Sequence, residues 1–171
     1  SSVVQTKDGG YALAGSTVTS SGRIPPNEDF WLVKTDSNGN MQWSRACGGP
    51  RSDSASNMIQ TSDGGYALVG YTYSYGAGQP SSEGTGEPNF WFVKTNSSGH
   101  VQWTQAYGGY YGEAAWCVIQ TIDQGYVIVG DARSESYGTS DFWIVKVANE
   151  NTRADDGLLT AYRGLAIAVV G

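Results

Sequence analysis

The chain has 171 residues, 24 of them glycine and 11 tyrosine, and only 15% are charged; this composition suits many short strands and tight turns rather than amphipathic helices. A net charge of −6 with no basic cluster argues against nucleic-acid binding, which needs a basic footprint on the phosphates. The two cysteines, Cys47 and Cys117, are too few for a disulfide framework and lack metal-ligand spacing.

Taken in order, Val3 to Thr6 is a short apolar strand, Lys7 to Gly10 a turn with glycines available for positive φ, and Tyr11 to Ser16 the returning strand of a hairpin. After a loop over Thr17 to Glu28 comes a third strand, Phe30 to Thr35. Phe30 and Leu32 lie on one face and Trp31 and Val33 on the other, so this strand is expected to be covered on both sides. Asp36 to Asn40 is a turn, and Met41 to Arg45 returns as a fourth strand ending at Gly48-Gly49, a pair expected to let the backbone bend sharply into the next sheet.

The same unit then recurs. Asp8-Gly-Gly-Tyr-Ala-Leu-Ala-Gly15 returns as Asp63 to Gly70 and as Asp123 to Gly130, preceded each time by Gln-Thr at 5–6, 60–61 and 120–121. Phe-Trp-x-Val-Lys stands at 30–34, 90–94 and 142–146. Islands kept at slightly unequal spacing mean fixed elements joined by loops of variable length, as in propellers, solenoids and arrays. The units run from about 1 to 49, 54 to 109 and 114 to 163 within a single repeat domain.

The third unit departs from the pattern. Ala148 to Asp156 replaces the tight turn, Leu158 to Arg163 takes the place of the tryptophan-bearing fourth strand, and residues 165–171 follow as an extra strand. Leu165, Ile167 and Val169 alternate along it and form a candidate assembly strand, either donated to a neighbour's sheet edge or strapped across the first unit. It is far shorter than the roughly 20 apolar residues that cross a bilayer, so no membrane span is expected. Ser1 opens directly into the first unit, from which we expect that a leader was removed or that the chain is a piece of a longer one.

These islands resemble the secreted or cell-surface β-propeller repeat proteins of archaea and bacteria, whose units read SVIQTSDGGYALAG and DFWLVKTDSNGNMQW, and the resemblance covers residues 1 to about 147. It implies an all-β fold of three four-stranded, propeller-like blades similar to those of kelch-like proteins, and an extracellular or cell-surface location. It brings no catalytic residues. Closed propellers have about four to eight blades, so three units leave two apolar faces uncovered, and such faces mark association surfaces. The expected partner is another copy of the chain, in a head-to-tail filament or array or in a closed six-bladed dimer.

The residues give no support for an enzyme, a metal or a cofactor. His100 is a lone turn histidine, and no serine has a nucleophile motif around it. Asp36, Asn38 and Asn40 alternate like the start of a calcium loop but lack its terminal glutamate, which leaves turn chemistry as the reading. Asn96-Ser97-Ser98 matches a glycosylation acceptor. Tyr73 and Tyr75, next to Tyr71, and Tyr110, Tyr111 and Trp116 are candidates for a glycan or subunit contact, against the plainer reading that alternating tyrosines extend a strand. Both thiols are expected buried and free, with a disulfide within or between chains as the alternative. The expected function is non-enzymatic, structural and self-assembling; the alternative is a glycan-binding, lectin-like module.

Overall fold

The computed structural model describes residues 1–19, 27–75, 86–108, 111–133 and 140–148, and 165–168 by backbone alone. No helix occurs among them. Twelve strands form three antiparallel sheets. The first contains β1 (Ser2–Gln5), β2 (Tyr11–Thr19), β3 (Asn27–Thr35) and β4 (Met41–Cys47), hydrogen-bonded in chain order. The second contains β5 (Asp53–Gln60), β6 (Tyr66–Thr72), β7 (Asn89–Thr95) and β8 (Val101–Tyr107) in the same order. The third contains β9 (Glu113–Gln120), β10 (Tyr126–Arg133), β11 (Ser140–Val147) and β12 (Leu165–Ala168).

Each first hairpin closes through its own side chains. Thr6 donates to Asp8 and Asp8 Oδ1 accepts from Gly10 N, an arrangement repeated by Thr61, Asp63 and Gly65 and by Thr121, Asp123 and Gly125. The two glycines of the turn have different tasks. Gly9 and Gly64 take φ of 83° and 84°, the left-handed region that favours glycine. Gly10 is needed for space, because a Cβ there would lie 2.2 Å from Thr35 O. A lysine from the third strand then ties the hairpin down: Lys94 Nζ reaches Asp63, Thr95 O and Gln102, and Lys34 makes the equivalent three bonds. The buried ammonium thus uses all its donors, as a buried charge must.

Two crevices between the sheets hold the core. Ala12, Ala14, Phe30 and Leu32 of the first sheet pack on Met58, Tyr66, Leu68, Trp91 and Val93 of the second. The other face of the second sheet, Ala67, Val69, Phe90 and Phe92, packs on Val118, Tyr126, Ile128 and Val145 of the third. Cover on both sides, expected for β3, is found instead in β7, in which all seven residues are buried, because only the second sheet has a neighbour on each face. In β3 the Phe30 side is covered and Trp31 stands open.

Four expectations need correction. The fourth strand of the third sheet is β12, not Leu158 to Arg163, which lies outside the described residues. Leu165–Ala168 pairs antiparallel with β11, and Leu165 opposite Lys146 takes the register of Trp43 opposite Lys34 and Trp103 opposite Lys94. It is not an extra strand in this chain. Pairing follows the unmet backbone groups of β11 rather than distance along the chain. Val169 lies outside the described residues.

The loop expected over Thr17 to Glu28 is shorter, since β2 and β3 stay paired out to Thr19 and Asn27, with Ser16 bonded to Glu28 and Thr19 to Asp29. The alternating tyrosines do not prolong β6, which ends at Thr72 where Ser74 N turns back onto Thr72 Oγ1. Finally, Gly48 and Gly49 have ordinary φ. They are small because the crossing chain runs over buried side chains; a Cβ on Gly48 would lie 2.0 Å from Asp29 Oδ1, and one on Gly49 would lie 2.5 Å from Ser74 Cβ.

Candidate functional site

The two outer faces of the stack are the largest feature left unexplained by the fold. Each sheet turns one face back toward the sheet before it and one forward toward the sheet after it. The backward face is built at equivalent positions: Val3, Tyr11, Leu13 and Trp31 in the first sheet, Met58, Tyr66, Leu68 and Trp91 in the second. Trp91 is 2% exposed and Trp31 38%; Met58 is 1% exposed and Val3 62%. The forward face behaves likewise. Phe90 is fully buried, whereas Phe142 of the third sheet is 55% exposed, and Ile119 of β9 is open too. Apolar residues are thus kept at both ends where no sheet covers them.

The internal joints have a direction. Phe30 of the first sheet meets Trp91 of the second edge-on at 4.4 Å between centroids, and Phe90 of the second meets Trp143 of the third at 4.7 Å. Trp43 meets Tyr66 at 6.0 Å and Trp103 meets Tyr126 at 6.5 Å. A polar contact repeats beside them: Lys7 N donates to Gln60 Oε1 at 2.9 Å, and Ser62 N to Gln120 Oε1 at 2.8 Å. In every case the earlier sheet gives the phenylalanine, the fourth-strand tryptophan and the amide, and the later sheet gives the Trp, Tyr and Gln. The role of these glutamines escaped the sequence reading although their recurrence before each Thr-x-Asp turn was visible.

A second feature is a cleft of about 250 Å³ between the second and third sheets, lined by Tyr71, Tyr73, Glu87, Trp116, Asp131 and Arg133 among others. Trp116 occupies a β-bulge of β9 opposite Gly130, and its indole N–H donates to Asp131. The bulge needs the glycine, since a Cβ there would lie 2.0 Å from Ala114 O. Tyr71 and Tyr73 stand edge to face at 5.9 Å. The structure brings Tyr73 and Trp116 together but sends Tyr75 to the other joint, where its hydroxyl donates to Gly48 O and its ring packs on Trp91. Tyr111 is exposed and is not among the cleft's lining residues, and Tyr110 lies outside the described residues.

The remaining sequence candidates fall into place locally. Asp36 Oδ1 accepts from the backbone of Asn38 and Asn40, and Asn96 does the same for Ser98 and His100. Both are turn-closing groups, and Asn96 stands in the exposed β7–β8 turn. Among the described residues no three His, Cys, Asp or Glu side chains gather as a metal site. Both cysteines are free. Cys47 is half-buried at the first joint, and burial, with Asp53 and Asp29 adding to it, pushes its thiol up to about 12. Cys117, expected to be buried, is exposed on the forward face of the third sheet, which packs on no other sheet among the described residues.

The hairpin carboxylates are held low. Hydrogen bonds from Thr121 and then Lys146 bring Asp123 down to about 2. For Asp63, partial burial pulls upward but the bonds from Lys94 and Thr61 prevail and hold it at about 2. Burial raises Asp53 at the first joint. The hairpin carboxylates bond within their turns and to the third-strand lysines, and at the crossover Asp53 Oδ2 accepts from Gly49 N and Ser74 Oγ. The chain matches no protein-family model, and no curated protein matches it.

Proposed function

We propose that this chain is a non-enzymatic, extracellular structural protein, that its sheets act as propeller-like blades, and that it self-associates through the two open sheet faces. The observation that carries the reading is the contrast between Trp91 and Trp31 and between Phe90 and Phe142: the same apolar positions are kept whether or not this chain covers them. Large exposed apolar patches at structurally matched positions mark association surfaces, and burying a ring of this size is among the strongest contributions an interface can have. The extracellular placing rests on the resemblance of the repeat islands alone. Leu165–Ala168 pairs with β11 of this chain, which supports an association through the sheet faces rather than by strand donation.

Negative-stain imaging and light scattering over a concentration series test the reading. Filaments, arrays or discrete rings above the 18.2 kDa chain mass are expected. A monomer at every concentration would sink it.

A second reading, a glycan-binding module, is favoured by the cleft, where the aromatic faces of Trp116, Tyr71 and Tyr73 lie with the polar groups of Asp131, Glu87 and Arg133. Concave sites with an apolar platform and a few fixed polar groups suit small ligands. Titration of oligosaccharides against tryptophan fluorescence, with Trp116→Ala as control, would decide it: a saturable change lost in the variant is expected, and no change removes the reading.

A further inference from the structure

Resting on the self-association proposed above, the geometry points to one specific joint: a second copy of this chain docks head to tail, with Phe142 of one copy against Trp31 of the next and Gln5 accepting a hydrogen bond from Ile122 N. The alternative for two sticky ends is contact of like with like, front on front or back on back. The internal joints argue against that.

Two joints inside the chain are built from the same parts in the same direction. Phe30 serves Trp91 and Phe90 serves Trp143. The amide after the threonine of one sheet serves the glutamine of the next, Lys7 to Gln60 and Ser62 to Gln120. Carrying each series one step past its ends leaves one unused half at each end. At the front, among the described residues, Trp31 meets no phenylalanine and the exposed Gln5 side chain meets no backbone amide of another sheet. At the back, Phe142 has no tryptophan, and Ile122, the residue equivalent to Lys7 and Ser62, is fully exposed and its amide makes no backbone bond. The leftover halves match each other as the halves of the two internal joints do. A front-to-front contact would offer Trp31 no phenylalanine and Gln5 none of the backbone amides that both internal joints use, and it would leave Phe142 uncovered.

The Trp–Tyr pair of the internal joints has no exact counterpart at the ends. Tyr11 is the open equivalent of Tyr66 and Tyr126, and the register position opposite Lys146, filled by tryptophan in the first two sheets, belongs to Leu165. A joint of this kind is heterologous: it either closes when two copies complete six sheets or continues as a filament.

The test uses two variants of exposed residues, Trp31→Asp and Phe142→Asp, with circular dichroism confirming that each keeps the strand signal of the parent. Sedimentation velocity at a concentration where the parent associates should find each variant monomeric by itself, since every copy lacks the same half. An equimolar mixture should form a dimer that grows no further, because one intact front and one intact back remain. Gln5→Ala should weaken the parent's association by about fivefold, the scale of one interfacial hydrogen bond, whereas Gln120→Ala should leave it unchanged. If either variant dimerises alone while the mixture shows no heterodimer, the contact is like with like and the head-to-tail joint is wrong, though self-association stands. If the parent is monomeric at all concentrations, both fall together.

Discussion

The second sheet and the two that flank it contain nearly the same residues, and they differ in what lies on either side. In the second sheet, Phe90, Trp91, Phe92 and Val93 are all buried; in the first sheet only the Phe30 and Leu32 side is, and in the third only the Trp143 and Val145 side packs on a neighbour. The comparison separates what a unit needs in order to fold from what it needs in order to join. One covered face is enough to hold a four-stranded meander in place, and on the proposed reading the second apolar face is the one that joins chains.

The largest effect should come from cutting the same side chain on the two sides of that comparison. Phe90→Ala removes a fully buried ring and should cost about 4 kcal/mol in denaturant unfolding, while Phe142→Ala should cost under about 1 kcal/mol at concentrations where chains are separate. Next come the glycines of the second strands. A Cβ on Gly70 would lie 2.0 Å from Ser54 O, because the β5 bulge passes there, so Gly70→Ala should cost about 2–3 kcal/mol. At Gly15 the nearest atom would be 3.3 Å away, on Ser1, since β1 has no such bulge, and Gly15→Ala should stay within about 0.5 kcal/mol.

Acid should act on all three hairpins. Asp63 and Asp123 are held at about 2 by their threonine and lysine partners, against about 3.9 unfolded. Their folded values are depressed, so the stabilisation is present above about pH 4 and fades as pH falls toward about 2. The melting temperature should drop across that window, and the drop should be shallower in Asp63→Asn. Asp53 works in the opposite sense, being raised by burial.

A small effect of the opposite sign is expected at the third hairpin, where Gln124 takes φ 63° in the place that Gly9 and Gly64 fill. Gln124→Gly should stabilise by about 0.5–1 kcal/mol in thermal melts, by relieving a left-handed side-chain-bearing residue.

Much of this was legible because the chain writes its plan three times. The hairpin at Asp8 to Gly15 and the turn at Asp36 to Asn40 follow from local chemistry and lie where they were expected, and the Phe-Trp strand has its two apolar faces, but cover on both of them is met in β7 and not in β3. What depends on partners far along the chain was not legible. The register of Leu165 is set by unpaired backbone on β11, and a connection of unusual length concealed it. Gly48 and Gly49 looked like bend residues but serve as gaps over Asp29 and Ser74, a role that only packing discloses. The cleft brings Tyr71 and Tyr73 to Trp116 across two sheets, while Tyr75, next in the same alternation, goes to the opposite joint. The direction of the joints was readable in principle, since Phe and Trp alternate faces in every unit, but only the side on which Phe30 packs tells which of them looks forward.

Hydroxyl-radical footprinting of the native chain over a concentration series tests the open-face claim most directly, with Trp91 as the buried reference. Trp31 and Phe142 should react freely at low concentration and become protected together as it rises, approaching the protection of Trp91. If both stay reactive at the highest concentration attained, the open faces are not association surfaces and the contrast with the second sheet has no functional meaning.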